Sequence, residues 1–105
     1  MPILLPFHER FRPSILEGTM TMTPRRRAYG RAGDVLATPV GRVRLVDVRR
    51  IILEDFASRY WLQAGARSPR DFADAWAELN PDRGFVPREE VWLHEFQLLS
   101  GDETA

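Results

Sequence analysis

The chain has 105 residues, a formal net charge of zero and no cysteine. This length favours one domain with a single core, and the lack of cysteine excludes disulfides, thiolate metal sites and thiol nucleophiles. No apolar run approaches the roughly 20 residues of a membrane span, and the N-terminus lacks the basic segment of a secretion signal, so we expect a cytoplasmic protein. All fifteen basic residues are arginine. This bias fits a hot habitat or a GC-rich genome, and it leaves no lysine amine to act as a general base.

The first part of the chain predicts a strand, a helix and a second strand. Residues 3–5 are predicted to form a short strand at a sheet edge or a strand end, because the prolines beside them lack an amide hydrogen to donate. A helix of roughly ten residues follows, since apolar residues recur at helical spacing and Gly18 supplies the stop. Residues 19–23 alternate strictly, which predicts a strand with its two methionines facing the core and its threonines on the other face. Pro24 is expected to end the hydrogen bonding of this strand.

A loop with four arginines and a tyrosine follows: Arg25, Arg26, Arg27, Tyr29 and Arg31. Guanidinium groups this close repel one another unless solvent or a partner neutralises them, and their planar forks match the oxygens of a phosphate. A nucleobase can stack on an exposed tyrosine beside them. The loop therefore predicts an anion site, with RNA or a nucleotide as the first candidate. The alternatives are a solvated turn and a tyrosine folded back onto the sheet.

Two strands are predicted next, at residues 35–40 and 43–53, joined by a turn at Gly41 and Arg42. The apolar positions of the longer strand change face near Asp47, which favours a bulge or a barrel corner there.

The last part of the chain predicts two helices and a strand. Residues 54–63 carry aromatic residues at helical spacing, and Gly65 ends this helix. Ser68 as N-cap and Pro69 at the first position predict a third helix, which ends at Asn80 and Pro81. Residues 91–99 predict a central strand. The tryptophans fall on apolar faces and are expected in the core. The order of elements favours an α+β fold of about five strands with two to three flanking helices.

The net charge hides a division along the chain. Residues 1–70 hold thirteen arginines against six carboxylates, and residues 71–105 hold two arginines against nine carboxylates. If folding keeps these segments apart, one face is cationic and attracts anions. If folding interleaves them, the field cancels.

The order of several short motifs resembles the ASCH domain family over nearly the whole chain. The matching segments include FRPSILEG at residues 11–18, TMTPR at 21–25, GDVL at 33–36 and VWLHEF at 91–96. The resemblance implies a PUA-like small β-barrel whose helices border a cleft, and it implies RNA binding. On this view residues 1–100 are one ASCH-like domain and residues 101–105 are a disordered tail.

The same resemblance raises an enzymatic alternative. A bacterial subgroup of ASCH proteins deacetylates N4-acetylcytidine with a proposed lysine, threonine and glutamate. Here Thr23 matches the threonine, Met20 stands at the lysine position, and Ala64 stands at the glutamate position. A threonine hydroxyl needs a neighbouring base to become a nucleophile, and neither methionine nor alanine accepts a proton. Thr23 is thus a candidate catalytic residue without the rest of its set.

The two histidines, His8 and His94, each precede a glutamate but do not extend to a zinc motif. We expect no metal site and no cofactor. His94 lies in an apolar strand and is predicted to be a hydrogen-bonded core residue. His8 precedes the helix that borders the cleft in ASCH-like folds, so it is a candidate ligand contact.

The predicted function is binding of RNA or a nucleotide-like anion in a basic cleft beside the first helix. The predicted binding residues are Thr21, Thr23, Arg25, Arg26, Arg27, Tyr29, Arg31 and His8. The alternatives are a hydrolase of acylated cytidine, an RNA nuclease, and a protein-interaction module in which basic and acidic faces pair.

Overall fold

The structure is a computed structural model, and it describes residues 4–99. Its strands are Met22–Arg25 (β1), Val35–Thr38 (β2), Gly41–Ile52 (β3) and Glu90–Leu98 (β4). Its helices are Arg12–Glu17 (α1), Leu53–Tyr60 (α2) and Pro69–Leu79 (α3), and a 3-10 turn at Glu9–Phe11 precedes α1. The strands form one antiparallel sheet in the order β1-β4-β3-β2. The sheet curls into a half-barrel, so the predicted α+β, barrel-like class is confirmed.

The strand count differs from the prediction of about five. Within residues 4–99 the sheet has four strands, and Leu4 adds an isolated parallel bridge to Ala37. The predicted first strand at residues 3–5 lies partly outside the described residues, and the predicted tail at 101–105 lies wholly outside them. None of the described helices is both long and apolar enough to cross a lipid bilayer.

Two predictions for the sheet are confirmed. The last strand, β4, is central and pairs with both β1 and β3. The register of β3 against β4 shifts between Leu45 and Asp47, so Val46 is the extra residue of a bulge. At the bulge, the side chains of β3 that pack on the cluster containing Leu45 change from odd to even positions, because Leu45 and Val48 both pack on that cluster.

Strand β1 lies further along the chain than predicted. The amides of Thr19 and Met20 donate to the Ser14 carbonyl and close α1, so these residues do not extend the strand. Pro24 does not end β1, which runs on to Arg25. An edge strand tolerates a proline because one of its sides has no partner strand.

The predicted orientation of β1 side chains is also wrong in part. Met20 is buried as expected, but Thr23 is buried as well, and Met22 is only half-buried. The break in strand geometry before Met22 explains the difference, since alternation holds only within a continuous strand.

Other element boundaries shift by a few residues. The hairpin turn falls at Pro39 and Val40, because Thr38 pairs with Gly41 at the start of β3. Helix α1 begins at Arg12, which places Pro13 in the first turn, where its missing amide hydrogen costs nothing. The predicted helix at residues 54–63 is the shorter α2. The start of α3 is confirmed, because Ser68 accepts a hydrogen bond from the Asp71 amide at 3.0 Å.

The buried side chains form two apolar clusters. One joins α2, α3 and the start of β4, with Phe56, Phe72, Trp76 and Leu93 among its members. The other joins α1 to β2, β3 and the end of β4, with Leu5, Ile15, Met20, Leu45 and Phe96 among its members. Phe7, Phe11 and Tyr29 pack on this second cluster.

Candidate ligand-binding cavity

A cavity of about 960 Å³ lies between residues of the two apolar clusters. One side, which we call the cationic wall, consists of its lining residues between positions 6 and 11 and between positions 23 and 29. The other side, which we call the apolar wall, consists of Met20 and the lining residues between positions 64 and 80. The volume is within the range of small-molecule sites, about 300 to 1,000 Å³.

The charged residues around the cavity are mostly basic. Among residues 4–99, its lining includes one carboxylate, Asp71, and five arginines: Arg10, Arg25, Arg26, Arg27 and Arg67. Arg67 and Asp71 are joined through a hydrogen bond from the Arg67 amide to Asp71 Oδ2 at 2.9 Å. Arg10 and Arg26 pair with carboxylates outside the lining. Within residues 4–99, Arg25, Arg27 and Arg67 have no such partner, which favours an anionic ligand.

Arg25 is held firmly in the cationic wall. Its Nε donates to Thr23 Oγ1 at 3.1 Å, and its Nη2 donates to the carbonyl of Pro6. Its guanidinium lies 5.0 Å from the Phe7 ring centroid and 5.6 Å from that of Tyr29. Burial lowers the pKa of Arg25 below its ordinary value, so an anion beside it would offset part of the cost of burying this charge.

Tyr29 folds back onto the sheet, which was one of the two predicted alternatives. Its ring packs edge-on against His94, and its amide donates to His94 Nε2 at 3.1 Å. The guanidinium of Arg27 lies 4.1 Å from its ring centroid. Arg27 itself is exposed, and the described residues give it no carboxylate partner.

His94 is a hydrogen-bonded core residue, as predicted. It has no solvent exposure, and its Nδ1 lies 3.0 Å from the Trp92 carbonyl. Because Nε2 accepts from Tyr29, the proton belongs on Nδ1, which donates to Trp92. Burial lowers the pKa of His94, which favours the neutral ring. The hydrogen bond from the Tyr29 amide to this ring anchors the arginine loop to the core.

Arg26 differs from its neighbours because two carboxylates neutralise it. Its Nε donates to Glu89 Oε2 at 2.9 Å, and its Nη1 lies 3.8 Å from Asp82 Oδ1. Its guanidinium also lies 5.6 Å from the ring centroid of Trp76. Arg26 therefore ties β1 to the segment before β4, which reduces its capacity to bind an external phosphate.

Two predicted binding residues do not line the cavity. Thr21 lines a separate, smaller depression beside α1. The Arg31 side chain is exposed, and its amide donates to Asp34 Oδ2 at 2.8 Å. The structure thus brings together His8, Thr23, Arg25, Arg26, Arg27 and Tyr29 from the predicted set.

His8 lines the cavity beside the 3-10 turn. Its Nδ1 accepts from the Arg10 amide at 3.1 Å. Arg10 in turn pairs with Glu78 at 2.9 Å and so links this turn to α3. Among the described residues, no cluster of three or more histidine, aspartate or glutamate side chains is placed to hold a metal ion.

Among residues 4–99 the hydroxyl of Thr23 is hydrogen-bonded to a cationic group and to no carboxylate. Within residues 4–99 the side-chain hydrogen bond of Thr23 Oγ1 comes from Arg25, a cationic donor. Met20 and Ala64, which stand where the resemblance implies lysine and glutamate, both line the cavity and are buried. A Cβ on Gly65 would lie 3.3 Å from Met20 Sδ, so the two segments are in contact. The positions are therefore adjacent, but their side chains are apolar.

The charge division along the chain is interleaved by folding. Arginines from the first segment pair with carboxylates from the second in Arg10–Glu78, Arg26–Glu89 and Arg50–Glu90.

Sequence reasoning missed most of the apolar wall. Phe72, Ala75 and Trp76 recur at helical spacing, which indicates the core-facing stripe of α3, and they also line the cavity. Periodicity identifies the buried face of a helix but does not show where the facing surface leaves a gap. Phe7 also falls at helical spacing with Phe11, but it lies before the 3-10 turn and its ring contacts Arg25.

The comparisons with known proteins bear on the fold and not on the function. No family model and no curated protein matches the chain. Among solved structures, the fold is similar to the crystal structure of protein EF3133 from Enterococcus faecalis V583, of family DUF984. The TM-score is 0.73 at 15% sequence identity, and the match covers 94% of this chain and 77% of that chain.

Proposed function

We propose that this chain is an ASCH-like, PUA-like domain that binds RNA or a nucleotide-like anion in the cavity. One observation carries the proposal: five arginines line a cavity that also contains aromatic rings, and among residues 4–99 three of them, Arg25, Arg27 and Arg67, have no carboxylate partner. Guanidinium groups bind phosphate oxygens in pairs, and aromatic faces stack on nucleobases. A nucleotide supplies both chemical groups in one molecule.

Arg27 is the side chain best suited to test the anion contact. It is exposed, it stacks on Tyr29, and it has no carboxylate partner among the described residues. Its removal therefore leaves no unpaired acid behind. Arg59 provides a matched control, because it is an exposed arginine on α2 that does not line the cavity.

The test is the affinity of a short fluorescein-labelled single-stranded RNA, measured by fluorescence anisotropy between about 50 and 200 mM salt. We expect affinity to fall steeply with salt in the parent protein. Arg27→Ala should reduce the slope of log K against log salt by about 0.7, the value for one phosphate contact with a single strand. Arg59→Ala should leave the slope unchanged. Equal slopes for the parent and Arg27→Ala, or no RNA binding by the parent, would overturn the proposal.

Binding is proposed in preference to hydrolysis because of the surroundings of Thr23. Its hydroxyl oxygen accepts a hydrogen bond from Arg25, and the nearby positions of the resemblance carry methionine and alanine. Neither of those side chains can remove the hydroxyl proton.

A further inference from the structure

We propose that the cavity takes one unpaired nucleotide, with its phosphate against Arg25, and that Thr23 is the residue that positions Arg25. This inference rests on the proposed function and specifies its ligand. It also assigns Thr23 a role other than that of a nucleophile.

Arg25 is arranged as a prepared phosphate-binding group. Thr23 Oγ1 and the Pro6 carbonyl each accept one of its N–H groups. A guanidinium has five such donors in a fixed plane, so donors remain for a ligand. The Phe7 and Tyr29 rings near it, at 5.0 and 5.6 Å, restrict the plane further.

Thr23 is well placed to hold that arrangement. It is 5% exposed and belongs to β1, where pairing with His94 of the central strand fixes its backbone. A free arginine side chain has many rotamers, and a ligand would otherwise have to overcome the loss of this entropy on binding. A buried hydroxyl that fixes Nε reduces this cost before the ligand arrives.

Two other groups of the cationic wall can complete the phosphate contact. The Nδ1 atom of His8 accepts the Arg10 amide hydrogen, so the neutral ring carries its proton on Nε2 and can donate it. Arg27 is exposed and lines the cavity. His8 and Arg27 line the cavity together with Arg25, and Arg25 and Arg27 both lie over the Tyr29 ring, which supports an anion at this wall.

Apolar side chains make up most of the apolar wall, which suits a base. They are Met20, Ala64, Ala66, Phe72, Ala75, Trp76 and Leu79, and the polar members of this wall are Arg67, Asp71 and Asn80. Stacking on aromatic side chains stabilises a bound base. A base within a duplex would first have to be unpaired and unstacked, which weakens its binding. The arrangement therefore favours a mononucleotide or an unpaired residue of RNA over a duplex.

The ligand class is tested by calorimetric titration of the protein with five probes: inorganic phosphate, uridine, uridine monophosphate, a single-stranded RNA and a duplex of the same sequence. We expect uridine monophosphate to bind at least tenfold more tightly than phosphate or uridine alone, because it makes the phosphate contact and the base contact together. We expect the single strand to bind about tenfold more tightly than the duplex, because of the cost of unpairing. Competition of the monophosphate with the single strand distinguishes a free nucleotide from an RNA residue as the preferred source.

The positioning role is tested with Thr23→Val and Thr23→Ser. Valine keeps the shape but removes the acceptor, and serine restores it. We expect Thr23→Val to weaken uridine monophosphate about tenfold, in line with loss of a hydrogen bond to a charged group. Serine should recover most of this loss, and the weak affinity for uridine should not change in either variant. If Thr23→Val does not fold, Arg25→Lys provides the test, because it retains the charge without the fork and should also weaken the monophosphate.

The outcomes separate the two proposals. Absence of binding to every probe overturns the proposed function and this inference together. Binding of RNA with equal affinity for single strand and duplex overturns the unpaired nucleotide but leaves the proposed function. Full affinity of Thr23→Val or Arg25→Lys for the monophosphate overturns the role of Thr23 and Arg25 and leaves the proposed function in place.

Discussion

The two walls of the cavity are built by different physical means. Hydrogen bonds and ring contacts hold the cationic wall, as in Arg25 between Thr23 and the Pro6 carbonyl. Burial holds the apolar wall, since Phe72 and Trp76 belong to the core cluster of α2 and α3. An exposed arginine of the cationic wall, such as Arg27, can therefore be replaced at little cost in folding, whereas the shape of the apolar wall depends on the stability of the domain.

The largest effect that distinguishes the walls is expected from Trp76→Ala. This side chain is 7% exposed, and truncation of a buried tryptophan costs about 3 to 5 kcal/mol of unfolding free energy. Leu79→Ala is the control, because Leu79 also lines the cavity but is 41% exposed. Urea unfolding should show a much smaller loss for Leu79→Ala. Similar losses for both variants would mean that the apolar wall is not part of the core.

A charge placed in the apolar wall should cost slightly less. Met20 is 3% exposed, so Met20→Lys buries an ammonium group and should lower the unfolding free energy by roughly 2 to 4 kcal/mol. Leu16→Lys is the control, because Leu16 on α1 is 52% exposed.

The pH dependence of the Met20→Lys loss identifies its cause. Burial disfavours the charged lysine in the folded state, so above the folded pKa the unfolded chain binds the extra proton. Stability relative to the parent should therefore rise with pH up to about 10.4. A loss that does not vary with pH would point to a packing defect instead.

A moderate effect is expected when the ion pair behind the cationic wall is broken. Glu89 pairs with Arg26 and its side chain is 10% exposed, whereas Glu90 pairs with Arg50 and is 59% exposed. Glu89→Gln should cost about 1 to 2 kcal/mol, and Glu90→Gln less than about 0.5 kcal/mol. Thermal unfolding checks both values. Equal costs would show that Arg26 does not fix the position of β1.

His94 should make stability depend on pH. Burial lowers its pKa in the folded state, the Arg25 guanidinium acts in the same direction, and hydrogen bonds with the Trp92 and Thr23 backbone oppose them. The neutral Tyr29 amide and ring also face it. Between the folded pKa and about 6.5, the unfolded chain binds more protons, so stability is full above 6.5 and falls as the pH is lowered. His94→Gln should remove this dependence, and His8→Gln should not. Urea titrations at several pH values check it.

The smallest effect is expected from Arg31→Ala. Arg31 belongs to the same basic loop but does not line the cavity. Its replacement should change RNA affinity less than about twofold, as for a surface residue away from the ligand. A loss as large as that of Arg27→Ala, measured in the same anisotropy assay, would show that the ligand contacts the outside of the loop.

Local signals in the sequence predicted the elements whose cause is local. The N-cap Ser68 marks the start of α3, and the change of apolar face near Asp47 marks the bulge in β3. The central place of β4 followed from its apolar character on both faces. These features depend on neighbours a few residues away, so one sequence is enough to show them.

Features with distant partners could not be predicted. Arg26 looked equivalent to Arg25 and Arg27, but its carboxylate partner Glu89 is 63 positions further along the chain. Thr23 looked like a member of an exposed threonine face, because the strand was expected to begin before Met22. Both differences arise from tertiary contacts that periodicity does not encode.

The central claim is that the ligand phosphate lies at Arg25 in the cationic wall. The most direct measurement is a titration with uridine monophosphate, followed by nuclear magnetic resonance of the arginine Nε–H groups and the tryptophan indole N–H groups. We predict that the signals of Arg25, Arg27 and Trp76 shift with one common dissociation constant, while that of Arg59 does not move. Saturable binding that leaves Arg25 unchanged and shifts arginines outside the cavity would contradict the account.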